Sequence, residues 1–282
     1  MLPEPDFDAE PLLEALRSAG MAAGSLAWDD PGADFGQARL TLLRSTWNYP
    51  EHPEAFAAWA ERAARVTDLR NPIAVVRWNL HKRYLTTLER HGVAIAPTEV
   101  VPRGSQAALS AIASARGWED VVVKPAVSAA SFRTLRVRPA DREAGEAHLR
   151  ALLADRDALV QQYLPSTEDY GERALVWIDG RLTHAVRKSP RFSGEEESVS
   201  GPVPITAQEA DLAARAVACA PATPTYARID VAPGIDGDPV VMELELIEPS
   251  LFFPQGPQAL DRLVGAVRRA LANEKSDGLR PH

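Results

Sequence analysis

The segment from Ala227 to Ser250 constrains this chain most, because it places three acidic residues on two neighbouring predicted strands joined by turn residues. Side chains two apart in a strand share a face, so Glu243 and Glu245 should project the same way, beside Asp230. Facing carboxylates repel at neutral pH unless a hard cation neutralises them, and Mg²⁺ binds one or two carboxylates together with phosphate oxygens. The pattern therefore indicates either a metal site formed by these three carboxylates or a solvated strand face with surface glutamates.

Composition excludes several classes of protein. The 282 residues are 45% hydrophobic and carry a net charge of -8, which is enough to build two or three packed units and argues against a general nucleic-acid or anionic-membrane binder. The sequence shows no long apolar segment, and the acidic start lacks the basic region of a secretory signal, so we expect a cytoplasmic protein. A single cysteine excludes an intrachain disulfide.

Hydrophobic periodicity alternates between helix and strand along the whole chain, which indicates an α/β (α+β) fold. The patterns predict a helix over Leu80–Gly92, a strand over Ala94–Val101, a helix over Ser105–Arg116 and a strong strand over Val121–Lys124. Asn71-Pro72 is a candidate unit boundary.

Three lysines occupy positions that suit anion binding. Lys124 ends the apolar strand VVVKP and precedes the small-residue segment VSAAS, whose backbone N–H groups could approach phosphate oxygens. Lys82 is predicted on a helix, and Lys188 ends the strand THAVRK. Each could equally be a solvated surface lysine when taken alone. The chain has neither GxxxxGK[ST] nor GxGxxG, so a Walker-type NTPase and a Rossmann dinucleotide enzyme are not supported.

Taken in order, eight segments give the chain a family resemblance: LLRSTWNYP, NPIAVVRWNLHKRYL, VAIAPT, VVVKP, LVQQYL, GERALVWIDGRLTHAVRKSP, YARIDV and MELELIEP. This arrangement resembles the ATP-grasp ligases, and within them the group that includes cycloserine synthetase, an O-ureido-serine cyclo-ligase. Glutathione synthetase and D-alanine–D-alanine ligase are more distant relatives. The resemblance implies an N-terminal pre-ATP-grasp α/β domain over 1–75, a central lid subdomain over 76–164, and a C-terminal subdomain carrying the magnesium carboxylates over 165–282.

The same resemblance assigns roles to individual residues. It implies that Lys82 and Lys124 bind ATP, with Ser128 to Ser131 in the loop that covers the phosphates. The adenine hinge would be Gln161, Gln162, Tyr163 and Leu164, where an exposed main-chain edge could bond the base. Glu168 would accept from the ribose, with Glu172 as a competitor. The metal ligands would be Asp230, Glu243 and Glu245, the last of which is asparagine in the distant relatives.

The catalytic residues implied are Arg228 and Lys188. Arg228 would stabilise charge that develops during phosphoryl transfer, although an ion pair with Asp230 or Glu243 is compatible with that role. Arg44 is the candidate for binding a substrate carboxylate, because a guanidinium recognises that group through two parallel bonds. His184 is expected to be a packed or surface residue rather than a general base.

The implied function is an ATP- and Mg²⁺- (or Mn²⁺-) dependent ligase that forms a C–N bond through an acyl phosphate. Its partners would be small-molecule carboxylates and amines of amino-acid type, and both a monomer and a homodimer remain open. One alternative is an intramolecular cyclo-ligase of the cycloserine synthetase type. The other is an ATP-binding protein without ligase activity.

Two departures from the family pattern qualify these assignments. Relatives begin with a strand before the first helix, so we expect that strand to be absent or encoded upstream of Met1. The segment Arg191–Gly201 carries three consecutive glutamates where relatives place a basic or glycine-rich loop. We expect this segment and Val127–Phe132 to form a lid that is open without nucleotide and closed with it.

Overall fold

A computed structural model describes residues 5–189 and 198–277, with side chains described as far as residue 273. Helices and sheets alternate along the chain, as the α/β prediction requires. No helix in the described ranges is long and apolar enough to cross a membrane. Most of the proposed lid segment Arg191–Gly201 lies outside the described residues.

The helices of the described residues are α1 Ala9–Ser18, α2 Pro53–Val66, α3 Ile73–Asn79, α4 Tyr84–Arg90, α5 Leu109–Arg116, α6 Arg142–Leu153, α7 Ser166–Asp169, α8 Ala207–Ala218 and α9 Pro257–Asp277. The strands are β1 Leu40–Leu42, β2 Asp68–Arg70, β3 Thr98–Val101, β4 Val121–Pro125, β5 Leu135–Val137, β6 Ala158–Gln162, β7 Glu172–Ile178, β8 Arg181–Lys188, β9 Val199–Val203, β10 Tyr226–Pro233 and β11 Pro239–Glu245.

The strands form three sheets in the described part of the chain. The first contains only the parallel pair β1 and β2. The second is antiparallel with the order β3-β6-β4-β5, and the third is antiparallel with the order β11-β10-β7-β8-β9. Each antiparallel sheet carries helices on a face: α5 and α6 share a core with the second sheet, whereas α8 packs beneath β10 and β11 of the third.

Helices α3 and α4 pack on the third sheet, although they precede the second sheet in the chain. Val75, Leu85 and Leu88 are fully buried in one apolar cluster with residues of the third sheet, among them Ile229 and Val241. Burying large aliphatic side chains contributes about 1.5–3 kcal/mol each. This packing holds the turn between α3 and α4 against the third sheet, and the predicted unit boundary near residue 76 stays a prediction.

Strand β11 lies at the edge of the third sheet, and other segments satisfy its outer main-chain groups. Ala96 N–H donates to the carbonyl of Val241 (2.9 Å). The Asn79 side chain donates to the carbonyl of Leu244 (2.8 Å) and accepts from the N–H of Leu246 (2.8 Å). Unpaired edge groups would otherwise invite slippage or association. The strand that carries Glu243 and Glu245 is therefore fixed from both sides.

Three predicted elements are shorter or differently placed than the sequence indicated. The helix predicted over Leu80–Gly92 is confirmed only over Tyr84–Arg90: the chain turns at residues 80–83 between α3 and α4, because the N–H of Lys82 donates to the carbonyl of Ala126 (2.7 Å) instead of continuing a helix. The strand predicted from Ala94 pairs as β3 only from Thr98. Helix α5 begins at Leu109 rather than Ser105, where the Glu146 carboxylate accepts its first two N–H groups at 2.8 Å.

The N-terminal segment is tied to the chain that follows β11. The buried Asp8 carboxylate accepts hydrogen bonds from the N–H groups of Leu251, Phe252 and Phe253. The buried Tyr226 hydroxyl joins the N-terminal segment to strand β10 as well, by donating to the carbonyl of Leu43 (2.5 Å). A carboxylate that accepts several backbone N–H groups is a strong local anchor.

Candidate active site

The candidate active site lies where the second and third sheets meet, next to the turn between α3 and α4. The hairpin register of β10 and β11 sets Asp230 opposite Glu243 and Arg228 opposite Glu245, with a bulge immediately after Asp230. The two glutamates share a strand face, as the two-residue period predicted. The candidate metal residues therefore come together on one patch of the third sheet.

Asp230 is almost fully buried between two cations. The Arg228 guanidinium donates to both carboxylate oxygens, at 2.8 and 2.9 Å, and the Lys188 ammonium donates to the same carboxylate at 2.5 Å. Burial by itself would raise the pKa of Asp230, but the charges of Arg228 and Lys188 outweigh it and lower that pKa to about 2. The carboxylate is thus ionised at any physiological pH.

The other carboxylates of the hairpin are also paired with cations. Lys82 pairs with Glu243, and Arg228 reaches across to pair with Glu245. Lys188 completes the arrangement by bridging Asp230 to Glu172, whose oxygen lies 2.9 Å from the ammonium. Burial and the nearby Lys124 charge lower the pKa of Lys82 to about 7. The result is a dense set of alternating charges in a largely water-excluded setting.

These carboxylates fit a magnesium ion by donor chemistry. No three His, Cys, Asp or Glu side chains among the described residues are arranged to hold a metal on their own. Mg²⁺ does not require such a cage, because it takes one or two carboxylates and completes its shell with phosphate oxygens and water. Glu243 and Glu245 keep 24% and 21% of their side-chain surface exposed, whereas Asp230 keeps 2%. The two glutamates are therefore the more accessible donors.

Lys124 reaches the same region from the second sheet. It lies on β4, and burial lowers its pKa, while the charges of Glu172, Lys188 and Asp230 on the third sheet act on it as well. The small-residue segment follows directly. Ser128 is buried, and Ser131 is exposed with a left-handed φ of 56°. Left-handed geometry at a non-glycine residue is often held at functional sites.

The segment Val127–Phe132 contacts the N-terminal unit. Val127 and Ala129 pack against the apolar cluster that contains Phe56 and Trp59. The half of the predicted lid that the structure describes therefore rests on a neighbouring core. Its opening and closing with nucleotide stays a prediction.

The predicted adenine hinge lies at the end of β6. Two of its main-chain N–H groups are already engaged within the protein. The N–H of Gln162 donates to the carbonyl of Pro97 (2.8 Å), and that of Tyr163 donates to the carbonyl of Asp120 (3.0 Å), so fewer groups are available to a base than the sequence suggested. The buried Gln161 side chain donates to Thr98 Oγ1 (2.8 Å). Leu164 is buried against apolar residues of β10 and β11. An apolar wall beside main-chain polar groups is the usual setting of a base pocket.

An arginine that the sequence did not single out covers this hinge. The Arg136 guanidinium lies 3.6 Å from the centroid of the Tyr163 ring and 3.1 Å from Glu168. Glu168, predicted to bind a ribose, is therefore engaged in an ion pair on the outer side of the hinge. Glu172, its competitor, lies with Lys188 at the charged site instead.

Arg44 and His184 both lie deep in the structure. Arg44 pairs with Asp8 at 3.3 Å and stacks 5.6 Å from the centroid of the Tyr226 ring, while its Nη1 atom is buried without a hydrogen-bond partner among the described residues. One nitrogen thus remains for a ligand. The His184 ring packs so closely on Gly256 that a Cβ there would lie 2.3 Å away, which fits the expectation of a packed residue.

Sequence reasoning missed Glu248, which lies three residues beyond Glu245 and is only 5% exposed. Burial, then the neighbouring charge of Glu245, raises the pKa of Glu248 to about 8, while the nearby Tyr49 hydroxyl and the charges of Lys82 and Arg228 oppose that rise. No local sequence pattern marks Glu248, since its neighbour Tyr49 is remote in sequence. The lysines are marked by their rarity: the chain has only four, and three of them, Lys82, Lys124 and Lys188, lie in this site.

Two antiparallel sheets with lysines and carboxylates facing each other at their junction define an ATP-grasp ligase. Distant solved structures share this fold. The ligase PsnB, solved with a minimal precursor, Mg and ADP, matches with a TM-score of 0.64 at 20% identity, over 94% of both chains. D-alanine–D-alanine ligase from Bacillus anthracis matches with a TM-score of 0.58 at 15% identity, over 73% of this chain and 72% of the ligase.

Similarity is much higher to one group within this class. The cycloserine biosynthesis protein DcsG of Streptomyces lavendulae is 34% identical over 267 residues, which covers 87% of this chain and 88% of DcsG. The crystal structure of D-cycloserine synthetase DcsG superposes with a TM-score of 0.86 at 33% identity, over 94% and 95% of the two chains. Residues 1–71 match the family described as the N-terminal domain of D-cycloserine synthetase DcsG. The chain therefore belongs to the D-cycloserine synthetase family of ATP-grasp ligases.

Membership makes this protein an ATP-dependent ligase that joins a carboxylate to an amine nitrogen. Use of ATP with a divalent metal is general in the class, as the PsnB complex with Mg and ADP illustrates.

Proposed function

We propose that this chain is an intramolecular cyclo-ligase: it activates the carboxylate of an amino-acid-like substrate with ATP and closes a C–N bond onto a nitrogen of the same molecule. A substrate carboxylate oxygen attacks the γ-phosphorus of ATP, ADP leaves, and the nitrogen then attacks the acyl carbon as phosphate departs. The observation that carries the proposal is the 34% identity with a cycloserine biosynthesis protein over nearly the whole chain. The expectation of a cytoplasmic enzyme stays a prediction.

The charged site supports this chemistry residue by residue. Lys124 and Lys82 are proposed to bind the phosphates, because both are cations at the junction of the sheets and Lys82 is 7% exposed. Lys188 and Arg228 are already held in place by Asp230, so they can meet the charge that develops during transfer without reorganising. Arg44 offers its unpartnered Nη1 atom to a substrate carboxylate.

Magnesium is the metal we propose, held by Glu243 and Glu245 with Asp230 behind them. When bound it would neutralise the phosphate charge during transfer. The cations that now pair with these carboxylates hold them in place. Lys82 would exchange Glu243 for a phosphate oxygen of ATP and so leave that carboxylate available to the metal.

The proposal is tested by incubating the purified protein with ATP, Mg²⁺ and O-ureido-serine, and measuring ADP and the cyclic product by mass spectrometry. Product formed from this single substrate supports cyclisation. ADP that appears only with a carboxylate and a separate amine would show intermolecular ligation. Tight ATP binding with no turnover in either arrangement would make the chain a nucleotide-binding protein without ligase activity.

A further inference from the structure

Glu248 is a buried carboxylate that the charged site leaves without a cation. Lys82 pairs with Glu243, Lys188 with Asp230 and Glu172, and Arg228 with Asp230 and Glu245. Within the described ranges, no lysine, arginine or histidine forms an ion pair with Glu248. A buried carboxyl group stays protonated unless a cation pairs with it, and burial raises the pKa of Glu248 to about 8 although the charges of Lys82 and Arg228 act on it from beyond ion-pair distance, so a further cation is needed to ionise it.

The position of Glu248 is fixed from the N-terminal unit. The Trp47 indole N–H donates to the Glu248 carbonyl oxygen at 2.9 Å, and the Tyr49 hydroxyl lies near the Glu248 carboxyl group, whose charge adds to burial in raising the pKa of Tyr49. Tyr49 is itself buried at 4% exposure. The backbone of Glu248 is therefore held in place from the N-terminal unit, and its carboxyl group lies next to a neutral hydroxyl rather than an ion-pair partner.

Other unsatisfied polar atoms lie on the segment that contains Trp47 and Tyr49. This segment begins near Ile247, because the carbonyl oxygens of Leu43 and Ile247 both lie within hydrogen-bond distance of the Tyr226 hydroxyl. On this segment the Nη1 atom of Arg44 and the hydroxyl of Thr46 are buried without hydrogen-bond partners among the described residues. Thr46 is 8% exposed. Buried polar groups are nearly always satisfied in proteins, so these atoms mark a ligand position.

We infer that Glu248, beside the Tyr49 hydroxyl, binds the ammonium group of an amino-acid substrate. The inference rests on the proposed function, and it adds the residue that makes the enzyme select amino acids over carboxylic acids without an ammonium group. An ammonium supplies the missing positive charge and three donors, whereas an uncharged substrate leaves Glu248 buried and unpaired. Glu248 is thus a specificity residue for the substrate and not a metal ligand.

The test compares O-ureido-serine with 3-(ureidooxy)propanoate, which differs only by lacking the ammonium group. ADP formation gives kcat/KM for both compounds with wild type, Glu248→Gln and Glu209→Gln. Glu209 is a matched control, because it is also 5% exposed but pairs with Arg173 and caps helix α8. Calorimetric binding of both compounds in the presence of a non-hydrolysable ATP analogue is measured in parallel.

We expect wild type and Glu209→Gln to prefer the ammonium compound by about tenfold or more, the effect of a charged hydrogen bond to a buried group. In Glu248→Gln this preference should fall close to unity through a higher KM for O-ureido-serine, with the KM for ATP and the Mg²⁺ dependence unchanged. A preference equal to that of wild type would overturn the inference while leaving the ligase function standing. A changed Mg²⁺ dependence with an intact preference would make Glu248 part of the metal site instead.

The proposed function can fail separately. If wild type forms no ADP with any amino acid, the cyclo-ligase is wrong, and the calorimetric preference still decides whether Glu248 recognises an ammonium group. Equal binding of the two compounds to wild type would then count against the inference.

Discussion

Replacing either Asp230 or Glu243 by its amide should abolish turnover, but only the first change should strongly destabilise the protein. Asp230 has a side-chain exposure of 2% and lies between Arg228 and Lys188. Removing one partner of a buried ion pair costs about 3–5 kcal/mol, because the remaining charge is left uncompensated. Asp230→Asn should therefore lower the free energy of unfolding by about 3–5 kcal/mol.

Glu243 differs in exposure and in its partner. Its side chain is 24% exposed and, among the described residues, pairs only with Lys82, whose pKa is lowered to about 7 by burial and by Lys124. Lys82 can lose its proton at little cost once Glu243→Gln removes the opposing charge. The expected loss of stability is about 1 kcal/mol, close to that of a partly solvated ion pair.

Scanning calorimetry of wild type and both variants measures the difference, and ADP formation with Mg²⁺ measures turnover. A change of 1 kcal/mol corresponds to about 2–4 °C in the melting temperature of a protein near this size. Asp230→Asn should then melt about 6–20 °C lower than wild type, and Glu243→Gln about 2–4 °C lower. Equal melting temperatures for the two variants would refute the reasoning from burial, and turnover retained by Glu243→Gln would remove it from the metal site.

Three further changes test single features. Lys124→Ala should weaken ATP binding by about 1.5–3 kcal/mol, the range for a lost charged hydrogen bond, and unchanged affinity by calorimetry would exclude that role. Asn79→Ala should cost about 1–3 kcal/mol for each β11 backbone group left unsatisfied, measured by urea unfolding, and a stability equal to wild type would show that water replaces the amide. Gly145→Ala should destabilise the protein by about 1–3 kcal/mol, since its Cβ would lie 2.5 Å from Val137. Gly265→Ala has only the flexible Arg269 side chain nearby and should be neutral or stabilising. A change in the free energy of unfolding of the same sign for both variants would contradict this packing.

The hairpin and the succession of strands along the chain could be predicted from the sequence, because both depend on local patterns. The two-residue period placed Glu243 and Glu245 on one face, and the turn residues between β10 and β11 set their distance from Asp230. The strand ending at Lys124 was predicted from an unbroken apolar run and a following proline. Features of this kind depend on residues that lie close together in the sequence.

The remainder depended on contacts between distant segments. The break at residues 80–83 arises from a bond between Lys82 and Ala126, and nothing in the helical pattern announces it. In the sequence Glu248 is not distinguished from other acidic residues, because Tyr49 and Trp47, which lie beside it in the structure, are about 200 positions away in the chain. The engagement of Glu168 by Arg136 was equally invisible, because the two residues lie 32 positions apart.

The three backbone bonds accepted by Asp8 have a consequence for engineering chimeras. Exchanging only the N-terminal 1–71 between relatives would transplant Asp8 and Arg44 without Leu251, Phe252 and Phe253, the loop on which Asp8 sits. In such a chimera the Asp8 carboxylate of one parent would face the backbone N–H groups of the other parent's loop, whose positions need not match it. Functional hybrids should be built by moving the first helix and the loop after β11 as one discontinuous cassette.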